Sequence, residues 1–263
     1  MISSAANPLL KDVRRAIVRG GLTGQGWCVA ETFHLLEEAL RSDCEVKVVL
    51  AAESVRSAAE AHVRRLAGVK VAVLPDALFQ GISGTETSQG ITALVTPPVW
   101  RLEQLFRGTS LVVVLDGLQD PGNAGAIVRA AEAFGATGVL FLKGTVSPYN
   151  PKTLRASAGS LFRVPFLNAV DPALARAAIR QNKANLYAGV PARSGAPARS
   201  LPEVDLAARC ALIIGNESHG VSSELRSAAL DISIPTVGVE SLNAAVAAGI
   251  LLYEARRQRA MRS

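Results

Sequence analysis

The sequence predicts an α/β protein in two parts: a parallel-sheet domain with helices on both faces over residues 110–263, and a small α/β domain over 1–97. Three observations carry this prediction. Apolar strand-like runs and helix-period segments alternate from Val29 onward, the order that yields a parallel sheet. The pair Pro97–Pro98 interrupts the alternation, since neither a helix nor a sheet continues easily through it, and 98–109 reads as a linker with a short amphipathic piece. In the second part, three polar segments rich in turn residues each follow an apolar run, which is where α/β folds gather ligand chemistry.

Composition bounds the answer. The 263 residues are 49% hydrophobic and 19% charged, a globular balance with enough chain to bury a sizeable core. No apolar run approaches the ~20 residues of a membrane span, and the N-terminus lacks the basic-then-apolar pattern of a secretion signal. Cysteines 28, 44 and 210 are odd in number and far apart, which suggests neither a disulfide framework nor a zinc site. A cytoplasmic protein without a metal is expected. The net charge of +6 is unevenly placed: residues 1–105 carry 11 basic and 11 acidic side chains, and 106–263 carry 17 and 11. The second part is the basic one, which hints at an anionic partner.

In order along the chain, Asn7–Pro8 reads as a cap followed by proline at the first position of a helix. Leu9, Leu10, Val13, Ala16 and Ile17 form its apolar face, while Lys11, Arg14, Arg15 and Arg19 crowd the other. Those four are a solvated face by default and candidate phosphate contacts against RNA. Glycines 20, 21, 24 and 26 form a connector without dinucleotide spacing. Helix then follows over 31–41, strand over 45–51, helix over 53–67, strand over 70–74, a short helix over 76–82 and strand over 91–95.

The second part reads as strand 111–115, helix 123–134, strand 138–142, helix 151–158 and strand 164–167. Helix 171–182, strands 185–189 and 210–214, helix 222–229, strand 231–235 and helix 241–258 complete it. Residues 190–204, rich in Pro, Ala, Arg and Ser, read as a surface loop.

Three segments carry the chemistry. Asp116 to Arg129 runs from a strand end through Pro121–Gly122, a turn, into a helix for which Asn123 is a good cap. Gly215-Asn216-Glu217-Ser218-His219-Gly220 follows the strand ending at Ile214. Ile234-Pro235-Thr236-Val237-Gly238-Val239-Glu240-Ser241-Leu242-Asn243 opens the last helix. Gly215 and Gly220 have phosphate-loop spacing, but Val221–Ser222 stands where Lys-Ser/Thr is needed, so nucleotide hydrolysis is excluded. The acidic residue and G-x-G of open-sheet methyltransferases are missing too.

Together the segments resemble the three motifs of the SpoU (TrmH) family of RNA ribose 2′-O-methyltransferases, in the SPOUT class. Asn123, Gly125, Ile127 and Arg129 meet the first, N-x-G-x-I-x-R. Gly215, Glu217 and Gly220 meet the second, and Ile234, Pro235, Gly238, Ser241, Leu242 and Asn243 the third. The match covers roughly residues 110–258. The small domain, with Gln89-Gly90-Ile91 before its last strand, resembles more loosely the ribosomal-protein-like RNA-binding domain often attached to SpoU catalytic domains.

The resemblance implies a deep trefoil knot, which sequence physics alone would never propose. It implies S-adenosylmethionine as methyl donor, with Gly215, Ile234 and Leu242 at the cofactor, Asn216, Val237, Gly238 and Ser241 as neighbours, and the 190–197 loop closing over it. The implied catalytic set is Arg129, Asn123, Glu217, Ser241 and Asn243. A guanidinium hardly deprotonates, so Arg129 either stabilises the developing alkoxide or grips the adjacent phosphate. Asn123 bonds the ribose, braces the loop, or only caps a helix. Glu217 orients Arg129, accepts a proton, or is a solvated carboxylate; Ser241 and Asn243 are equally natural caps. Nothing in the sequence positions His219 as a base. A homodimer through the last helix is implied, with Arg129 serving a composite site. The expected activity is 2′-O-methylation of a ribose in 23S rRNA. A tRNA ribose methyltransferase is the alternative within the class, and a non-catalytic RNA-binding or ribosome-assembly protein is the alternative outside it.

Overall fold

A computed structural model of the chain describes residues 1–42, 44–64, 69–84, 87–191 and 198–262. They form two compact units, Met1–Val99 with Ser147–Arg163, and Trp100–Val146 with Val164–Ser263. The sequence suggested one break near residue 97; instead the first unit takes a segment from the middle of the second.

The first unit opens with α1 (Pro8–Arg19), capped by the Asn7 side chain, which accepts from Leu9 N at 2.9 Å. It ends at Gly20, whose left-handed φ of 63° a side chain would strain. Then come β1 (Cys28–Ala30), α2 (Phe33–Arg41), β2 (Val46–Ala52), α3 (Arg56–Val63), β3 (Lys70–Leu74), α4 (Asp76–Gln80) and β4 (Ile91–Val95). The four strands lie in the order β1-β4-β2-β3, with only β2 and β3 parallel. Leu10, Val13 and Ala16 of α1 pack with Leu50, Phe79 and Leu94. Strand β1, three residues long, was not expected, because it is too short to show a period. The helix expected over 53–67 begins as a 3₁₀ turn over Glu53–Val55, and residues 65–68 lie outside the described set.

Next along the chain are α5 (Leu102–Leu105), β5 (Leu111–Asp116), α6 (Pro121–Ala133), β6 (Gly138–Leu142) and α7 (Pro151–Ser157). They are followed by β7 (Phe166–Val170), α8 (Pro172–Gln181), β8 (Asn185–Gly189), β9 (Arg199–Ser200), β10 (Cys210–Gly215), α9 (Ser223–Arg226), β11 (Leu230–Ser233) and α10 (Ala244–Ala260). All but α7 belong to the second unit, whose seven strands run β7-β6-β5-β10-β8-β11-β9, every neighbouring pair parallel. All six residues of β5 are buried, as a doubly covered parallel strand requires. One face packs Val112, Val114, Leu140, Ala211 and Ile213 with Ala175 and Ile179 of α8. Central β5 and β10 pair in register from Leu111–Cys210 to Asp116–Gly215, so the first and second motif turns leave the sheet side by side. The stretch read as a surface loop over 190–204 also holds β9 and a 3₁₀ turn, Leu201–Glu203; residues 192–197 lie outside the described set.

The segment 147–163 is held in the first unit by charge. Buried Glu31 pairs with Arg155, and Arg163 Nη1 donates to Glu38 Oε2 at 2.5 Å. Burial pushes the Glu38 carboxyl up, but the Arg163 and Arg41 guanidinia outweigh it and hold it below its ordinary range. Burial keeps two of the free thiols inert, pushing Cys28 up to about 12 and Cys210 to about 11.

Candidate active site

The first motif turn starts where β5 ends. Gly117 takes a φ of 72° and its N–H donates to Thr145 Oγ1 at 3.0 Å, directing the chain out of the sheet. The cap of α6 is Asp120, not Asn123 as the sequence suggested: Asp120 Oδ1 accepts from Asn123 N at 2.6 Å and Pro121 fills the first helical position. The Asn123 side chain is therefore free for another role.

That role is set by the third motif. Asn243 caps α10, its Oδ1 accepting from Ala245 N at 2.9 Å and Val246 N at 3.3 Å. With its oxygen so engaged, its amide nitrogen faces outward and donates to Asn123 Oδ1 at 3.0 Å. Asn123 Nδ2 in turn donates to Glu217 Oε1 at 3.2 Å. The helix cap thus fixes the polarity of a relay in which both amide orientations are determined and the carboxylate is the final acceptor. One residue from each of the three motifs takes part.

The second motif is a tight turn. The backbones of Asn216 and Gly220 exchange two hydrogen bonds of 2.9 Å. A Cβ on Gly215 would lie 2.3 Å from the Gly220 carbonyl carbon, so only glycine fits there. Asn216 Nδ2 donates to Gly117 O at 2.8 Å, and its Oδ1 accepts from Ser218 N at 2.8 Å and His219 N at 3.0 Å. Beneath the turn, buried Asp116 accepts from Ser222 N at 2.7 Å, locking the second turn to the end of β5.

The second and third motifs and the end of β8 enclose a cavity of about 560 Å³. Of the residues expected at the cofactor, Gly215, Asn216, Ile234, Ser241 and Leu242 line it; of those expected in catalysis, Glu217, Ser241 and Asn243 do. Asn123 reaches them through the relay. Two expected cofactor neighbours are elsewhere: Val237 is wholly exposed and Gly238 has open space around it. Neither lines the cavity. Arg129 is also outside it, exposed on α6 and without a bonded partner among the described residues. Lys11, Arg14, Arg15 and Arg19 are all exposed on α1, and Arg14 Nε donates to Gly81 O at 3.2 Å.

Two wall residues, Glu240 and Arg226, were given no role by the sequence, and His219, set aside there as a base, is a third. Glu240, within the third segment but not one of the positions that carry the resemblance, adds a second carboxylate to the cavity wall. Arg226 is held by Asp231, Nη2 to Oδ2 at 2.6 Å, so the wall's guanidinium is neutralised. His219 lines the cavity with its ring Nδ1 3.2 Å from Asn216 Oδ1. Among the described residues no group of three or more His, Cys, Asp or Glu is placed to hold a metal ion. No helix among them is long and apolar enough to cross a membrane.

A parallel doubly covered sheet with a glycine-turned cavity at the carboxyl ends of its central strands defines an α/β protein that binds a small organic ligand beside a polar relay. The chain belongs to the SpoU rRNA methylase family, whose model matches residues 110–253. Residues 7–93 match the MRM3-like substrate binding domain. Over 257 residues it is 33% identical to the 23S rRNA (guanosine(2553)-2′-O)-methyltransferase RlmP of Bacillus subtilis, covering 97% of this chain and 98% of that one. It is 34% identical over 197 residues to the 23S rRNA (uridine(2479)-2′-O)-methyltransferase of Streptomyces viridochromogenes, covering 72% and 68%. The structure of the SpoU methyltransferase AviRb from Streptomyces viridochromogenes in complex with AdoMet superposes with a TM-score of 0.83 at 26% identity, covering 97% of this chain and 98% of that one.

Proposed function

We propose that this chain transfers a methyl group from S-adenosylmethionine to a ribose 2′-oxygen of 23S rRNA. The observation that carries the reading is the relay of Asn243, Asn123 and Glu217 at a cavity whose wall is built by two of the same three motifs. The donor set suits a cationic nucleoside. Carboxylates of Glu217 and Glu240 line the cavity beside apolar Ile234, Leu242 and Leu251, while its one guanidinium is occupied by Asp231. The volume is that of a small-molecule site.

When bound, S-adenosylmethionine supplies a methyl carbon already activated by its sulfonium. The chain has to hold the acceptor hydroxyl in line and ease loss of its proton. Gly215, Asn216, Ile234, Ser241 and Leu242 bind the donor, while Asn123 and Asn243 hold Glu217 in place. Arg129 supplies positive charge to the developing alkoxide or grips the neighbouring phosphate. In this reading Arg129 acts in the cavity of a second copy. Its exposure on α6 supports that, as does the apolar surface of α10, where Val246, Ile250 and Tyr253 are 51%, 36% and 56% exposed. The protein is therefore a homodimer through α10, and it works in the cytoplasm with rRNA. The trefoil knot is inferred from family membership. Lys11, Arg14, Arg15 and Arg19 contact RNA phosphates, which the match of 7–93 to a substrate-binding domain supports.

The test is transfer of labelled methyl to unmodified 23S rRNA, 16S rRNA and tRNA in parallel. Label in 23S rRNA is expected. Label in tRNA alone would move the substrate, and a purified chain that binds no S-adenosylmethionine would overturn the reading in favour of a binding-only protein.

A further inference from the structure

The relay leaves open which group takes the proton from the acceptor hydroxyl. Arg129 cannot accept one at neutral pH, and Glu217, fixed through Oε1 by Asn123, is a carboxylate that competes for the role. The chain has three histidines, and His34 and His62 lie in the first unit. His219 is thus the sole imidazole of the second unit, and it lines the cavity.

Its tautomer follows from Asn216. The Asn216 amide cannot be turned over, because Nδ2 must donate to the Gly117 carbonyl, and Oδ1 must accept from the Ser218 and His219 N–H groups. The atom facing His219 Nδ1 at 3.2 Å is therefore an oxygen that can only accept. Nδ1 must carry the hydrogen, and in the neutral ring Nε2 is left as a lone-pair acceptor with no protein partner among the described residues. An orienting acceptor on one ring nitrogen and a free lone pair on the other is the arrangement a general base needs.

We propose that His219 is the proton acceptor of the transfer, and that Asn216 is its positioning residue. This rests on the reading of the cavity as a ribose 2′-O-methyltransferase site. The proton leaves the 2′-oxygen for Nε2 as that oxygen bonds to the methyl carbon. The carbon–sulfur bond breaks with its electron pair left on sulfur, and the imidazolium then passes its proton to water.

The first test reads the ring without turnover. Nitrogen-15 shifts of the ring in the full-length wild-type protein are expected to show His219 as the Nδ1–H tautomer, and Asn216→Ala to relax that preference. The second reads chemistry: His219→Ala should lower the transfer rate by about 10²-fold or more while leaving the dissociation constant of S-adenosylmethionine within about threefold, and added imidazole should restore part of the rate. His219→Gln, which keeps a polar side chain that cannot take the proton, should be as slow as the alanine variant. A wild-type ring in the Nε2–H form would overturn the inference. So would full activity in either His219 variant, or a loss that imidazole does not repair. A wild-type protein that methylates no RNA would instead sink the functional reading itself.

Discussion

Asn243 Nδ2 donates to Asn123 Oδ1 at 3.0 Å, joining residues 120 positions apart in the chain. Because Asn243 is also the cap of α10, the backbone of that helix dictates which way both amides point and presents N–H to Glu217. Replacing Asn123 with Asp swaps that donor for a second carboxylate while keeping size. The transfer rate is expected to fall about tenfold or more, the scale of one lost charge-assisted bond plus repulsion. Affinity for S-adenosylmethionine should hold; unchanged turnover in a steady-state assay would show that the relay is not used.

Arg129 is exposed and lies outside the cavity of its own chain. Arg129→Ala should abolish transfer, by about 10²-fold or more if it stabilises charge in the transition state, and spare cofactor binding. Mixing it with a His219→Ala chain should restore activity in mixed dimers, since one cavity then has both groups. Equal loss of rate and cofactor affinity in the Arg129 variant would contradict the assignment.

Gly215 has no room for a methyl group, with the Gly220 carbonyl carbon 2.3 Å from the Cβ position. Gly215→Ala should destabilise the fold by about 1–3 kcal/mol, as overpacking does. It should also weaken S-adenosylmethionine binding by opening the turn. Denaturant titration and calorimetry of cofactor binding read the two effects separately.

Arg259 near the end of α10 donates to four backbone carbonyls, those of Leu206, Thr109, Ser110 and Ala208. Arg259→Met keeps the apolar stem and leaves those carbonyls short of a donor, which should cost about 2–4 kcal/mol in denaturant unfolding. A loss below about 0.5 kcal/mol would mean that water replaces the guanidinium freely.

Glu38 is held below its ordinary pKa of 4.5 by Arg163 and Arg41. A carboxyl with a depressed folded value binds its proton more readily in the unfolded chain, so its contribution is present above the unfolded value. That contribution is lost as pH falls through the folded one. Glu38→Gln should flatten the acid limb of stability below about pH 4.5 without changing the slope near neutrality. An unchanged acid limb in a pH series of denaturation midpoints would contradict this.

Much of the fold was legible because long elements carry a period. The strands over 70–74, 91–95, 138–142 and 185–189 were read with the bounds the structure gives. Three-residue β1 and two-residue β9 have no period to read. The motif turns were legible as turns, but the roles of their side chains depend on partners far along the chain. Asn123 looked like a cap because Pro121–Gly122 was taken for a turn, whereas Asp120–Pro121 is itself a helix start. His219 had no visible orienting partner because the Asn216 amide that faces it is pinned by Gly117, 99 residues away. Val237 and Gly238 were placed by motif membership alone, and the loop carries them outside the cavity.

The central claim, that the acceptor is a ribose oxygen, is tested most directly by digesting methylated 23S rRNA to nucleosides and finding where the labelled methyl sits. The account predicts a single 2′-O-methylnucleoside, matched by one alkali-resistant linkage in the intact RNA. Label on a base, with every linkage still cleaved by alkali, would contradict it.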